Sequence, residues 1–322
     1  MTKNYFKVLR GGTHTSFQDS GYINKQHLGI TSGGVVDSDL YELSNKILNN
    51  HKDTPVLEFS IQGPSLKLSS NNCRVVICGN VYFTITKLNK TFKGRPNQSY
   101  LLYKGDIIDI LSTLNSNYGY MSIEGGFDLQ KEFGSFSTLT ISNIGSNNGK
   151  KISINQKIYI KKNGSNINSS INFEKGDDDN SSIIRVVRGP QMNYFFQKTI
   201  KKFFNSQFKI SNSSNRMGIR LTNNICKAAK SHNIDSEGIT KGSIQIPGDG
   251  NPIVLINDHP TIGGYPKIAI VILSDLSKIS QLPIGSAFNF KEVSIKEAEN
   301  LFYNKIKKNN NFFKKIKNSK IK

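Results

Sequence analysis

Two short runs of mostly β-branched residues, IVLI at 253–256 and IAIVIL at 268–273, bracket a ten-residue polar stretch, NDHPTIGGYP, at 257–266. Runs of this length, bounded by Gly, Pro and Asp, predict buried strands. The residues between them are far richer in chemistry than a hairpin connection needs, since Asp258, His259, Thr261 and Tyr265 sit beside Gly263 and Gly264. Rigid strands holding out such a loop are a common way to present a site. The same residues also suit an ordinary tight turn.

The rest of the chain repeats the theme of short strands with few helices. Strands are predicted at 64–68, 74–78, 82–85, 118–124 and 183–187, and helices at 37–49, 192–205 and 294–302. Asp37 is placed to cap the first helix, and Ser294 with Glu297 forms the pattern of a capping box on the last. These elements divide into a domain at 1–160, a polar linker or loop at 161–182 with three consecutive acids (177–179), a domain at 183–302, and a lysine-rich tail at 303–322. Such a strand-heavy chain favours β-barrels or sandwiches decorated by helices.

Charge invites a nucleic-acid reading that the residues do not support. The net charge is +20, yet arginine, the better reader of bases and phosphates, occurs only seven times. Eight lysines and no acid lie in the last twenty residues, which read as a solvated, partly disordered extension. No nucleic-acid motif accompanies the charge, so nucleic acid is not an expected partner. No apolar run is long enough to span a membrane, the first residues lack the apolar core of a signal peptide, and three cysteines without CxxC spacing indicate neither a disulfide framework nor a metal site. The expected location is the cytoplasm.

Four polar clusters carry candidate chemistry. Gln18, Asp19 and Ser32 lie in the glycine-bearing stretches GTHTSFQDSG and GITSGGVVD and supply donors and acceptors to a ligand. Asn215, Arg216 and Arg220 fall together in SNSSNRMGIR, where an arginine fork suits a carboxylate or phosphate, or else a structural ion pair. Gln245, in IQIP, is placed to read an amide or ureido group. The fourth cluster is the loop at 257–266. GSNNGK at 145–150 is one residue too short for a phosphate-binding P-loop, and no G-x-S-x-G elbow occurs.

Taken together, TSFQDSG (15–21), HLGITSGGVVD (27–37), LEFSIQGPSL (57–66), SIEGGFD (122–128), RGPQMNYF (188–195), SNRMGIRL (214–221) and the segment 236–276 resemble the biotin-dependent carboxyltransferase family, which includes the C-type component of 5-oxoprolinase and allophanate-hydrolase-type second components. The resemblance implies a mainly β chain of two cyclophilin-like β-barrel domains with a few peripheral helices. It also implies partners, a B-type component and, in the 5-oxoprolinase branch, an A-type component as well. That branch opens 5-oxo-L-proline to L-glutamate with ATP used by the complex. The other branch moves a carboxyl group from carboxybiotin to urea, and there biotin would arrive on a partner, since no methionine here adjoins a lysine. A third possibility is a non-catalytic, partner-binding role. Tyr22, Phe136 and Lys150 stand where the family often has arginine.

Both branches must activate a poorly electrophilic amide. The expected roles are Asn215 and Arg216 polarising the carbonyl with the N–H groups of Gly263 and Gly264, Gln245 on the amide edge, and Arg220 on a carboxylate. Asp258 is the expected base or orienter, and Tyr265 a wall or hydroxyl donor. Gln18, Asp19, Ser32 and Thr261 complete the expected binding set.

Overall fold

The computed structural model describes residues 4–69, 72–161, 167–170, 182–222 and 231–320, with the backbone alone at 167–170 and 317–320. Two compact units emerge. The first comprises Met1–Ile23, Gly33–Glu174 and Asn309–Lys322; the second comprises Asn24–Ser32 and Lys175–Lys308.

The first unit contains β1 (Tyr5–Arg10), β2 (His14–Gln18), α1 (Ser38–Ile47), β3 (Val56–Ser60), β4 (Ser65–Leu68), β5 (Asn72–Cys78) and β6 (Val81–Lys87). It continues with β7 (Lys90–Lys93), β8 (Ser99–Tyr103), β9 (Ile107–Thr113), β10 (Tyr118–Ile123), β11 (Lys157–Tyr159) and β12 (Ile167–Ser170). Six of these form a sheet in the order β11-β1-β4-β9-β6-β7, and five form another in the order β2-β3-β10-β5-β8. Alternate residues of both sheets, among them Phe6, Phe17, Phe59, Phe83, Ile108 and Met121, share one buried core. Expected as a β-barrel-like domain, this unit is built from two sheets around a common core. Helix α1 starts where expected, with Asp37 Oδ1 accepting from the N–H groups of Asp39 and Leu40, and packs Leu43 and Ile47 against Val76 and Cys78.

The second unit holds β13 (Ile183–Arg188), α2 (Gln197–Asn205), β14 (Gln207–Ile210), β15 (Gly218–Thr222), β16 (Glu237–Gly238), β17 (Ser243–Gln245), β18 (Ile253–Leu255), β19 (Ile262–Gly263), β20 (Lys267–Val271), α3 (Leu273–Gln281) and β21 (Ala287–Glu292). Seven strands close a barrel in the order β13-β20-β17-β18-β15-β14-β21, with β13 running parallel to β21 at the closure. Phe203 of α2 stacks on Phe290 and joins Phe208 and Phe288 in an aromatic cluster. The mainly β architecture with peripheral helices is as expected.

Four local expectations differ. The helix expected over 192–205 is a 3-10 turn at Met192–Tyr194 followed by α2, because Phe196 adopts extended backbone between them. The run at 268–273 ends as a strand at Val271 and turns into α3, whose Asp275 is buried against the Arg185 guanidinium. The helix expected to end at 302 continues as α4 (Ile295–Phe313) through the first half of the tail, which has no Gly or Pro to stop it. Finally, β22 (Lys317–Lys320) pairs with β12, while Phe312, Phe313 and Ile316 pack beside α1, so the tail is structured rather than a free extension. Most of the stretch read as a linker at 161–182, with its acidic triplet, lies outside the described residues. Among the described residues no helix is long and apolar enough to cross a membrane.

Candidate functional site

Between β14 and β15 the chain makes a turn that Asn215 builds. Its N–H donates to the Gly218 carbonyl, and its Oδ1 accepts from the N–H groups of Met217 (2.8 Å) and Gly218 (3.4 Å). Asn215 is exposed, so its amide oxygen serves the turn. The turn delivers Arg216 to the interior, where it is 6% exposed. Its Nε donates to Asp258 Oδ2 at 2.8 Å and a terminal nitrogen to Oδ1 at 3.0 Å, while the Asp258 N–H donates to the Arg216 carbonyl at 2.8 Å. This is the planar fork on a carboxylate for which arginine is suited, and of the two readings of Arg216 it is the ion pair.

The residue before Asp258 gathers a distant part of the chain. Thr31 and Ser32 each donate a hydroxyl to the Asn257 carbonyl at 3.1 Å. Next along the loop, His259 is buried with Nδ1 2.6 Å from the Pro260 carbonyl. Burial pushes its pKa below the ordinary value, with Lys241 adding to the effect, and the Pro260 bond and Asp258 oppose it. A carbonyl only accepts, so Nδ1 carries the proton and, in the neutral ring, Nε2 has a free lone pair.

A second cluster forms where β17, β20, β16 and β19 meet. Gln245 and Lys267 are register partners on adjacent antiparallel strands, so their side chains share a face. Both are buried, at 6% and 4% exposure. Gln245 Nε2 is buried and has no hydrogen-bond partner. It points at Gly263, where an added Cβ would sit 2.6 Å from that nitrogen. Gly263 pairs with Glu237, whose half-exposed carboxylate accepts from the Lys267 ammonium and, at 2.7 Å, from Gln191 Nε2. Those two bonds hold the Glu237 carboxyl below its ordinary pKa, against the opposing effect of burial. Gln191 also fixes the strand, its Oε1 accepting the Lys267 N–H at 3.2 Å.

A buried amide donor without a partner forfeits hydrogen-bond energy and calls for an explanation. Here the donor lies close against Gly263, where any Cβ would collide with it, on the same face as a buried cation. That arrangement suits the carbonyl oxygen of a small amide.

The other expected residues are placed as follows. Gln18 and Asp19 belong to the first unit. Gln18 Nε2 donates to Ser16 Oγ and the Thr138 carbonyl, and the Asp19 carboxylate accepts from Ser135, Ser137 and the N–H groups of Gly21 and Phe136. Both side chains tie the segment 135–138 to β2. Arg220 is exposed on β15, so the buried cation beside Gln245 is Lys267 rather than an arginine. The Thr261 and Gly264 carbonyls accept from Ile239 and Ile234, and Tyr265 is exposed.

Lys267, Glu237 and Gln191 were missed by reasoning from residue type. Each falls inside a motif that looked informative for other reasons: GGYPKIAIV, SEGIT and RGPQ. The usable signal was Lys267, a charge that opens an otherwise apolar strand and therefore needs a partner in space.

Comparison with known proteins follows the same residues. Residues 28–292 match the family described as carboxyltransferase domain, subdomain A and B. The C-type component of 5-oxoprolinase from Escherichia coli (strain K12) is 27% identical over 300 residues, 91% of this chain and 92% of that protein. Urea amidolyase of Saccharomyces cerevisiae is 26% identical over 317 residues, 92% of this chain but 17% of that protein. Among solved structures, the urea carboxylase of Kluyveromyces lactis superposes with a TM-score of 0.85 at 26% identity, covering 97% of this chain and 29% of that one. The chain therefore spans nearly all of the bacterial protein and less than a third of either fungal one.

Proposed function

Because the chain belongs to the carboxyltransferase family of subdomains A and B, we propose that it is the C-type component of an ATP-dependent 5-oxoprolinase. It would work with the A-type and B-type components in opening 5-oxo-L-proline to L-glutamate. The match along nearly the whole length of the bacterial C-type component supports this reading. The observation that carries it is the buried, unpartnered Nε2 of Gln245, aimed over Gly263.

In this reading Gln245 donates to the lactam carbonyl oxygen. A donor held in place before the reaction, in a site that excludes water, stabilises the charge that develops on that oxygen, and losing one such donor costs roughly 3–4 kcal/mol. Gly263, lacking a Cβ, leaves room for the amide tip of Gln245. The Arg216–Asp258 fork, with Asn257 held by Thr31 and Ser32, fixes the loop that carries Gly263. Asp258, committed to Arg216, acts here as an orienter and not as the base.

ATP hydrolysis supplies the driving force for opening an unreactive lactam. We assign ATP to the assembly and not to this chain. In the glycine-bracketed segment 145–150, the Gly145 N–H donates to the Glu132 carboxylate at 2.7 Å, which would repel a phosphate. The buried cysteines Cys73 and Cys78, which form no disulfide, suit a cytoplasmic assembly.

A second reading, carboxyl transfer to urea or a related amide, is favoured by the superposition on urea carboxylase. Gln245 Nε2 fits a ureido carbonyl as well as a lactam, whether that of urea or of a biotin carried by a partner.

The test is reconstitution of this chain with its A-type and B-type partners, measuring 5-oxoproline-dependent ATP hydrolysis and glutamate release. The expected result is activity that requires this chain and falls about 100-fold or more in Gln245→Ala. Decarboxylation of carboxybiotin by urea, without lactam turnover, would replace the first reading with the second.

A further inference from the structure

We propose that Lys267 and Gln245 form a two-point site for a compact amide that bears a carboxylate, with Glu237 as the counter-ion that the ligand's carboxylate displaces. The inference rests on the reading above, that this cluster takes a small amide, and adds which amides it selects.

Three features argue for it. Lys267 and Gln245 are cross-strand partners, so an ammonium and an amide share one face, an arrangement suited to a carboxylate next to an amide carbonyl. Gln245 Nε2 is more than nine-tenths buried and lacks a partner, which marks the carbonyl half of the site. Lys267 is as deeply buried, yet its partner Glu237 is half-exposed and stands on a two-residue ribbon. A buried ammonium needs an anion beside it, but nothing requires that anion to be the protein's own. A carboxylate entering beside Gln245 can take the ammonium while Glu237 swings to water and keeps its bond from Gln191. The exchange conserves charge and leaves no buried ion alone. Arg220, the other cation considered for a carboxylate, is on the exposed side of its strand.

Both 5-oxoproline and N-carboxyurea belong to this class, and paired neutral analogues separate the sources. Dissociation constants would be measured calorimetrically on the reconstituted complex for 5-oxo-L-proline against 2-pyrrolidinone, and for N-carboxyurea against biuret. The carboxylate in at least one pair is expected to bind about 10–100-fold more tightly than its neutral partner, the range of one charge-assisted hydrogen bond. Lys267→Met should remove that preference while leaving the neutral ligand within about twofold, as expected from losing the charge-assisted bond alone. It strands no buried charge, because Glu237 already reaches solvent.

Glu237→Gln gives the opposite sign. With no carboxylate competing for the ammonium, the anionic ligand should bind several-fold more tightly, which a merely structural Glu237 would not produce. The pattern in the N-carboxyurea pair alone keeps this site and removes 5-oxoproline as the substrate. Equal affinities within both pairs, weaker carboxylate binding in Glu237→Gln, or no binding of any of the four overturns the proposal.

Discussion

Arg216 and Asp258 offer a sharp energetic test of how the site is held. Each is less than one-tenth exposed, and they share two side-chain hydrogen bonds of 2.8 and 3.0 Å. Removing one partner of such a pair costs about 3–5 kcal/mol, mostly because the survivor stays buried and uncompensated. Asp258→Ala leaves a guanidinium that cannot shed its proton, whereas Arg216→Met leaves a carboxyl that can take one up. Asp258→Ala should therefore be the worse variant at neutral pH. The double variant Arg216→Met/Asp258→Leu removes both charges and should recover to within about 1–2 kcal/mol of the parent. With a urea m-value of about 2 kcal/mol/M, the single variants lower the midpoint by about 1.5–2.5 M. The chain has no tryptophan, so circular dichroism is the appropriate probe. A single variant costing under about 1 kcal/mol, or a double variant as damaged as the sum of the two, would refute the reasoning.

Two further perturbations separate site geometry from stability. Gly263→Ala places a methyl 2.6 Å from Gln245 Nε2, the far end of a flexible side chain. Its unfolding midpoint should stay within about 1 kcal/mol of the parent while turnover falls about 100-fold, the scale of one displaced donor. An equal loss of both would mean that the glycine is needed only for packing. His259 gives a pH signature. Its folded pKa is lowered from 6.5, so on acidification the unfolded chain takes up the proton first. Stability from this residue is complete above about pH 6.5 and declines below it, by at most about 1.4 kcal/mol per pH unit. Urea midpoints between pH 7.5 and 5 should show this slope, and His259→Gln should flatten it.

Much of the fold was legible because local signals and tertiary demands agree. At α1, the Asp37 cap and the spacing of Leu43 and Ile47 point to the same helix that packing requires. The strands expected at 64–68, 74–78, 82–85, 118–124 and 183–187 are short runs bounded by turn residues, and the structure uses them nearly as written. α3 was hidden because LSDLSKISQ continues an apolar strand without a break. Its helical period, Leu273, Leu276 and Ile279, becomes visible only once the strand is known to stop at Val271. For the candidate site, residue type pointed to Gln245 and to the loop carrying Asp258 as candidates, but not to which groups would neutralise each other. Arg216 and Asp258 are forty-two residues apart, and Lys267 and Glu237 thirty. Only strand register brings either pair together, and register depends on the whole barrel closing.

At two of the three positions where the resemblance implies arginine, the first unit uses the same kind of pairing. Tyr22 and Phe136 stand at two of those positions, and both belong to one network. The Tyr22 hydroxyl donates to the Ser137 carbonyl at 2.6 Å, and the Phe136 N–H donates to Asp19, which also accepts from Ser135 and Ser137. Asp19 is thus held by four neutral donors and no guanidinium. Tyr22 is buried, so its ring occupies volume that an arginine would have to fill with a charge. Gly145 completes the arrangement, since a Cβ there would lie 1.8 Å from the Ser137 carbonyl oxygen and 2.4 Å from the Tyr22 hydroxyl. The departures are therefore coupled and absorbed within the first unit as packing and neutral hydrogen bonds.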